Sequence, residues 1–208
     1  MTKVKICGIT NLEDALLSIE YGADQLGFNF YEKSPRYISP GAARQIIDKL
    51  GDGITTVGVF VNGLIDTVIR VAVDSKIDVI QLHGSESVQY VADIHSLSRL
   101  DVIKAFSVSP DLTKHHIDEF EATAVLLDGY TPGVYGGTGE LADWEFARIV
   151  ATDSKVYLAG GLNPENVGAA IETVRPFAVD VASGVESSPG TKDAEKVKRF
   201  IEAVRKSE

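Results

Sequence analysis

A closed (β/α)8 barrel, filling residues 1–208 as one domain, is the fold class that the sequence predicts. Short apolar runs of strand length alternate with longer amphipathic stretches along the whole chain. The alternation repeats eight times in 208 residues, a length that α/β barrels fill as a single unit. Strands separated by helices pair in parallel through right-handed crossovers, and eight of them suit closure better than an open doubly wound sheet, the alternative that periodicity alone leaves available.

The first unit sets a strand at residues 4–7 before a helix at 11–21, with Asn11 able to cap it. In that strand Lys3 and Lys5 alternate with Val4 and Ile6. Residues 1–10 therefore read as strand and not as a charged and apolar export signal, and a cytoplasmic protein is expected. Residues 25–30 precede a helix at 40–50, where Pro40 suits the first turn. Strand 56–61 precedes helix 64–75, strand 79–83 precedes helix 86–97, and strand 102–106 leads to a weak helix at 112–120. Strand 124–128 leads, after the glycine-rich stretch 133–139, to a helix at 143–151. Strand 155–159 precedes a helix at 164–174, for which Asn163-Pro164 combines a cap with an N1 proline. Strand 178–183 and helix 193–206 complete the series.

Composition narrows the function classes. Hydrophobic residues make up 44% and charged residues 24%, as in an ordinary globular protein. No run reaches the roughly 18 apolar residues of a membrane-spanning helix. A formal charge of -10 disfavours nucleic acid and anionic membrane surfaces as partners, because both need a basic footprint. A small molecule is the expected partner, and any anionic group on it must be held by local features. One cysteine, Cys7, excludes an internal disulfide and a clustered thiolate metal site. Oligomeric state is left open, since solvated and paired helix exteriors produce the same amphipathic pattern.

In a barrel, catalytic groups lie at the carboxyl ends of the strands and on the loops that follow. Cys7, Asn29 with the loop to Arg36, His83, Asp128, Gly160-Gly161 and Ser183-Gly184 stand there. A lone cysteine is ordinarily a small buried hydrophobe. Cys7 instead ends the first strand, ahead of Gly8, where its thiol faces the mouth and can act as a base if a lysine or helix-end dipoles favour the thiolate. Asp128 ends the apolar run Ala124-Val125-Leu126-Leu127 and is either a cap for Gly129 or a general acid. Arg36, stiffened by Pro35, can hold a carboxylate through paired N–H donors. His83 is a weaker candidate, and His95, His115 and His116 are expected to face solvent. The glycine-rich turns at Gly160-Gly161 and Ser183-Gly184 follow the seventh and eighth strands, where such barrels often bind phosphate through backbone N–H groups. Gly190-Thr191-Lys192 lacks the glycine spacing of a P-loop, and Gly136-Gly137-Thr138-Gly139 lacks the strand context of a dinucleotide fingerprint and reads as a lid. A base and an acid at one mouth suit an isomerisation that needs no cofactor and no metal.

Lys5-Ile6-Cys7-Gly8-Ile9-Thr10, Lys33-Ser34-Pro35-Arg36, Gln81-Leu82-His83-Gly84, Gly136-Gly137-Thr138-Gly139, Ala159-Gly160-Gly161-Leu162 and Asp180-Val181-Ala182-Ser183-Gly184-Val185-Glu186 resemble, in order and spacing, the phosphoribosylanthranilate isomerases of tryptophan biosynthesis. The first and last of these motifs are the most specific, and the resemblance covers nearly the whole chain. It implies Cys7 as general base, Asp128 as general acid, Arg36 as ligand of the anthranilate carboxylate, and Gly161 with Ser183-Gly184 as the phosphate site. It further implies an Amadori rearrangement yielding 1-(2-carboxyphenylamino)-1-deoxyribulose 5-phosphate. Two positions depart from the family pattern: Glu140 stands where lysine is expected, and Ala182 where serine is common. The related aminoaldose isomerase of histidine biosynthesis is the competing enzyme, but it resembles a half-barrel repeat with a first-strand aspartate, and neither feature is present. A binding-only phosphate barrel is the competing non-enzyme.

Overall fold

The computed structural model describes residues 1–129 and 143–207. Strands Lys3–Cys7 (β1), Gln25–Asn29 (β2), Thr55–Phe60 (β3), Val79–Leu82 (β4), Asp101–Ser107 (β5), Ala124–Asp128 (β6), Val156–Leu158 (β7) and Ala178–Val181 (β8) pair in that order and close into a barrel. Every pairing in it is parallel, and β1 meets β8 with Lys5 opposite Asp180. The helices are Leu12–Glu20 (α1), Pro40–Ile47 (α2), Ile65–Ser75 (α3), Val88–Ser98 (α4), Lys114–Asp118 (α5), Trp144–Val150 (α6), Val167–Val174 (α7) and Ala194–Lys206 (α8). No helix among the described residues is long and apolar enough to cross a membrane.

Alternation along each strand divides the core into two parts. Outward side chains such as Val4, Ile6, Leu26, Phe28, Ile80 and Leu127 pack under the helices against Val68, Val91, Val197 and Phe200. Inward ones such as Val57, Ile103, Leu126 and Tyr157 fill the barrel as a smaller cluster. Lys5, Gln25, Gln81 and Asp180 are also buried, and Lys5 is wholly inaccessible. Their positions on strands that alternate in and out place them inside the barrel, among those apolar residues.

Helix starts follow local chemistry. Asn11 accepts the Asp14 N–H at 2.8 Å, and Ser39 caps α2 ahead of Pro40. The expectation of a helix from residue 164 is corrected to a start at Val167. Asn163 Oδ1 takes the N–H groups of Glu165 and Asn166 at 2.9 and 3.1 Å, so the Asn-Pro pair makes a turn ahead of the helix. The helix expected over 112–120 shortens to Lys114–Asp118, whose sequence supplies one buried apolar residue, Ile117. A 3-10 turn at Ser183–Val185 and an antiparallel hairpin of Glu186–Ser188 (β9) and Thr191–Lys192 (β10) follow β8, where the sequence suggests only an extended end and a loop. The glycine-rich stretch 133–139, with its expected lid, and Glu140 lie outside the described residues.

A buried ion pair fastens the loops after β3 and β4. Lys104 Nζ lies 3.0 Å from Glu86 Oε2 and donates to the Gly84 carbonyl at 2.7 Å, while Glu86 Oε1 accepts the Asn62 N–H at 2.8 Å. Removing one partner strands the other charge out of water, a loss of about 3–5 kcal/mol. Lys104→Met is therefore expected to lower the urea midpoint by an amount equivalent to about 3–5 kcal/mol with an unchanged denaturant slope. A midpoint within error of wild type would show that the pair does not hold this region.

Candidate active site

The strand alternation that makes β1 a barrel strand turns Lys5 and Cys7 to the same inner side. Cys7 reaches the carboxyl end of the barrel and lines a cavity of about 340 Å³ with Arg36, His83, Asp128, Gly160, Gly161 and Ser183. Gly184 is the one expected site residue that does not line it. Its Cα faces the Leu162 carbonyl, which a Cβ would strike, so Gly184 lets the two loops close against each other behind the cavity. His95, His115 and His116 are exposed, as expected.

Cys7 is held in a tight niche. A Cβ at Gly27, the residue opposite Cys7 on β2, would stand 2.7 Å from the thiol sulfur, so only glycine leaves it room. Burial pushes the Cys7 thiol up from its ordinary pKa, as does Asp180; Lys5 and Lys192 pull the other way without prevailing. The expectation that a lysine favours the thiolate is thus met only in part. Burial also opposes the charge on Lys5, but Asp180 and Cys7 outweigh it and keep the ammonium protonated. Lys5 Nζ donates to Asp180 Oδ1 and to Gln81 Oε1, both at 2.9 Å.

Asp128 is almost fully buried at the end of β6. Its Oδ1 accepts the Gly129 N–H at 2.8 Å, the bond of the simple loop cap, while Oδ2 lies 3.3 Å from His83 Nε2. The carboxyl therefore caps a turn and lines the cavity at once. His83 Nδ1 in turn lies 2.9 Å from Gln81 Nε2, so this histidine bonds to a side chain of the barrel interior instead of to loop backbone.

The loop after β2 folds back over the mouth. Asn29 donates to Ser34 Oγ at 3.1 Å, and the same hydroxyl accepts the Arg36 N–H at 3.2 Å. Arg36 then commits one edge of its guanidinium to Glu186: Nε lies 2.9 Å from Oε1 and Nη2 2.7 Å from Oε2. That fork leaves the Nη1 side of the guanidinium for a ligand. Burial works against the Glu186 carboxylate, yet Arg36 and Lys192 outweigh it and hold its pKa below the ordinary value. Lys192 Nζ lies 3.0 Å from Glu186 Oε1 and donates to the Cys7 carbonyl at 2.6 Å, tying the hairpin to the end of β1.

Across the mouth, Gly160 and Gly161 adopt φ values of 79° and 59°, a left-handed backbone that favours glycine. Among the described residues neither N–H has a hydrogen-bond acceptor. Asn166 Nδ2 fixes this turn through the Gly161 carbonyl at 2.9 Å. Two bare N–H groups beside the Ser183 turn suit a phosphate.

Sequence reasoning overlooked Lys5, Gly27, Gln81, Asp180, Glu186 and Lys192 as contributors to this site. Spacing did carry a signal for two of them, since Lys5 and Gln81 sit two residues before Cys7 and His83 and share their faces. Nothing local marks Glu186 as the partner of Arg36.

The family model for N-(5'phosphoribosyl)anthranilate (PRA) isomerase matches residues 4–203. The N-(5'-phosphoribosyl)anthranilate isomerase of Geobacter sp. (strain M21) is 50% identical over 206 residues, covering 99% of each chain. The crystal structure of phosphoribosyl anthranilate isomerase from Thermus thermophilus superposes with a TM-score of 0.90 at 39% identity, covering 100% of both chains. A phosphoribosyl anthranilate isomerase solved in complex with reduced 1-(o-carboxyphenylamino)-1-deoxyribulose 5-phosphate has a TM-score of 0.84 at 43% identity, covering 99% of this chain and 100% of that one. The chain belongs to the N-(5'-phosphoribosyl)anthranilate isomerase family.

Proposed function

We propose that this protein converts N-(5'-phosphoribosyl)anthranilate to 1-(2-carboxyphenylamino)-1-deoxyribulose 5-phosphate by general acid-base catalysis, with Cys7 as base and Asp128 as acid. The observation that carries the proposal is the placement of Cys7 and Asp128, from β1 and β6, on one cavity whose rim holds Arg36 and the Gly160-Gly161 turn. The family match and the complex of a relative with a reduced product support the choice of substrate.

The substrate carries an anion at each end. The free side of Arg36 takes the anthranilate carboxylate, and the N–H groups of Gly160 and Gly161, with Ser183, take the phosphate. Fixing both ends holds the sugar carbons between acid and base, which converts binding energy into orientation. Asp128 protonates the ring oxygen, the C1'–O bond breaks, and the nitrogen lone pair forms the iminium. Cys7 thiolate then removes the C2' proton, and the electron pair moves into the C1'–C2' bond to neutralise the iminium. The enolamine so formed tautomerises to the ketone as its enol proton leaves oxygen and C1' gains a proton. Each turnover leaves Cys7 protonated and Asp128 ionised, so both groups must be reset by proton exchange before the next.

Turnover of freshly generated phosphoribosylanthranilate, followed by loss of anthranilate fluorescence, tests the assignment directly. Cys7→Ser and Asp128→Asn are each expected to lower kcat roughly 100- to 10,000-fold while phosphate-ligand binding persists. Full activity in either variant removes that residue from the mechanism. Inactive, well-folded wild type would move the assignment to the histidine-pathway aminoaldose or to a binding-only barrel.

Because burial raises the Cys7 pKa, the thiolate fraction grows as pH rises through and beyond the usual thiol value of about 8.5. The kcat/KM profile, which reports free-enzyme groups, should therefore climb on the alkaline side of neutrality. A flat profile between about pH 7 and 10 would contradict Cys7 as the base.

Arg36→Met is expected to weaken binding of the carboxylate-bearing substrate by about 1.5–3 kcal/mol, read as KM, while inhibition by inorganic phosphate changes little. Equal losses for both ligands would contradict the assignment.

A further inference from the structure

A line of side chains runs from β1 to β6 through the barrel. Lys5 Nζ lies 2.9 Å from Gln81 Oε1, Gln81 Nε2 lies 2.9 Å from His83 Nδ1, and His83 Nε2 lies 3.3 Å from Asp128 Oδ2. The direction of the two hydrogen bonds in this line follows from its first member. An ammonium only donates, so the amide atom facing Lys5 is the oxygen, and the NH2 must face His83. An amide NH2 also only donates, so His83 Nδ1 accepts and the ring hydrogen sits on Nε2. That nitrogen lies 3.3 Å from Asp128 Oδ2, within ion-pair range but outside hydrogen-bond alignment, while the other Asp128 oxygen is held by the Gly129 N–H at 2.8 Å.

We propose that Gln81 is a positioning residue for the general acid: anchored by Lys5, it fixes His83 as the Nε2–H tautomer, whose N–H keeps the Asp128 carboxyl aimed into the cavity. The inference rests on Asp128 being the acid. Gln81 is 1% exposed, and β3 and β5 flank it on the sheet, where Val59 and Ile103 are its register partners. Asp180 gives Lys5 a second anchor at 2.9 Å, so the ammonium is not free to turn away from the amide. Held from both sides, the Asp128 carboxyl cannot rotate without breaking one of its two contacts. At 3.3 Å and off hydrogen-bond alignment the His83–Asp128 contact is an electrostatic one, loosely aligned as catalytic contacts commonly are before the substrate arrives.

The test combines nitrogen NMR of imidazole-labelled protein with kinetics. The sequence has four histidines, and His83→Asn assigns the signal of His83 by its disappearance. Wild type should show an unprotonated Nδ1 and a protonated Nε2. Gln81→Glu keeps the shape and can pair with Lys5, but presents only acceptors to His83, so Nδ1 should become protonated. The same variant should lose about 10- to 100-fold in kcat with little change in KM, and its kcat–pH profile should shift. Gln81→Met, of similar length and without the amide, should blur the tautomer preference and lower kcat in the same range.

A wild-type His83 protonated on Nδ1, or an unchanged spectrum in both Gln81 variants, overturns the proposal. So does a changed tautomer with kcat undiminished. Asp128→Asn separates the two levels: full activity there removes the acid itself, whereas a crippled Asp128→Asn beside a fully active Gln81→Glu removes only the role of Gln81.

Discussion

Lys5 and Asp180 face each other at 2.9 Å across the seam where the first strand closes on the last. An ammonium inside a barrel is costly unless its donors are all directed at acceptors, and here two are met by Asp180 and Gln81. That requirement ties closure of the barrel to the chemistry at its mouth. If β1 slipped by one residue against β8, Lys5 would turn out among the helices, and Cys7 with it. The ion pair is thus a register lock, and the same ammonium lies beside the thiol whose charge it favours.

A second charged group works in parallel at the rim. Glu186 receives Arg36 through a two-point fork and Lys192 at 3.0 Å, and Lys192 returns to the Cys7 carbonyl. Two cations around one carboxylate leave a net positive charge beside the cavity, in a protein whose overall formal charge is -10. For the ligand proposed above, with two anionic groups, such a site would make the attraction local and short in range within an acidic chain. The Gly160-Gly161 turn adds N–H groups without adding a titrating side chain.

Both arrangements favour preorganisation over adaptability. The Asp128 carboxyl, the Arg36 guanidinium and the Gly161 carbonyl each have at least one fixed partner before any ligand arrives. Groups already oriented need little rearrangement as charge develops, which is where an enzyme gains over water. The cost is that several buried polar groups must be satisfied at once, and a single unpaired member is expensive.

The order of strands and helices was legible in the chain alone, because apolar periodicity and caps are local properties that neighbouring residues decide. So were the places of Cys7, His83 and Asp128 at strand ends, since a polar residue closing an apolar run is visible without any tertiary knowledge. Which side chains pair with which was settled only by folding. Arg36 and Glu186 are 150 residues apart and Lys5 and Asp180 are 175 apart, so their contacts exist only after the sheet has curled and closed. The same holds for Gly27, an ordinary strand glycine until β1 is laid beside β2 and the Cys7 sulfur fills the space a side chain would take. His83 changed meaning for that reason too: its position was legible, but its partners came from β4's own inner face and from β6, which only the barrel's curvature brings within reach.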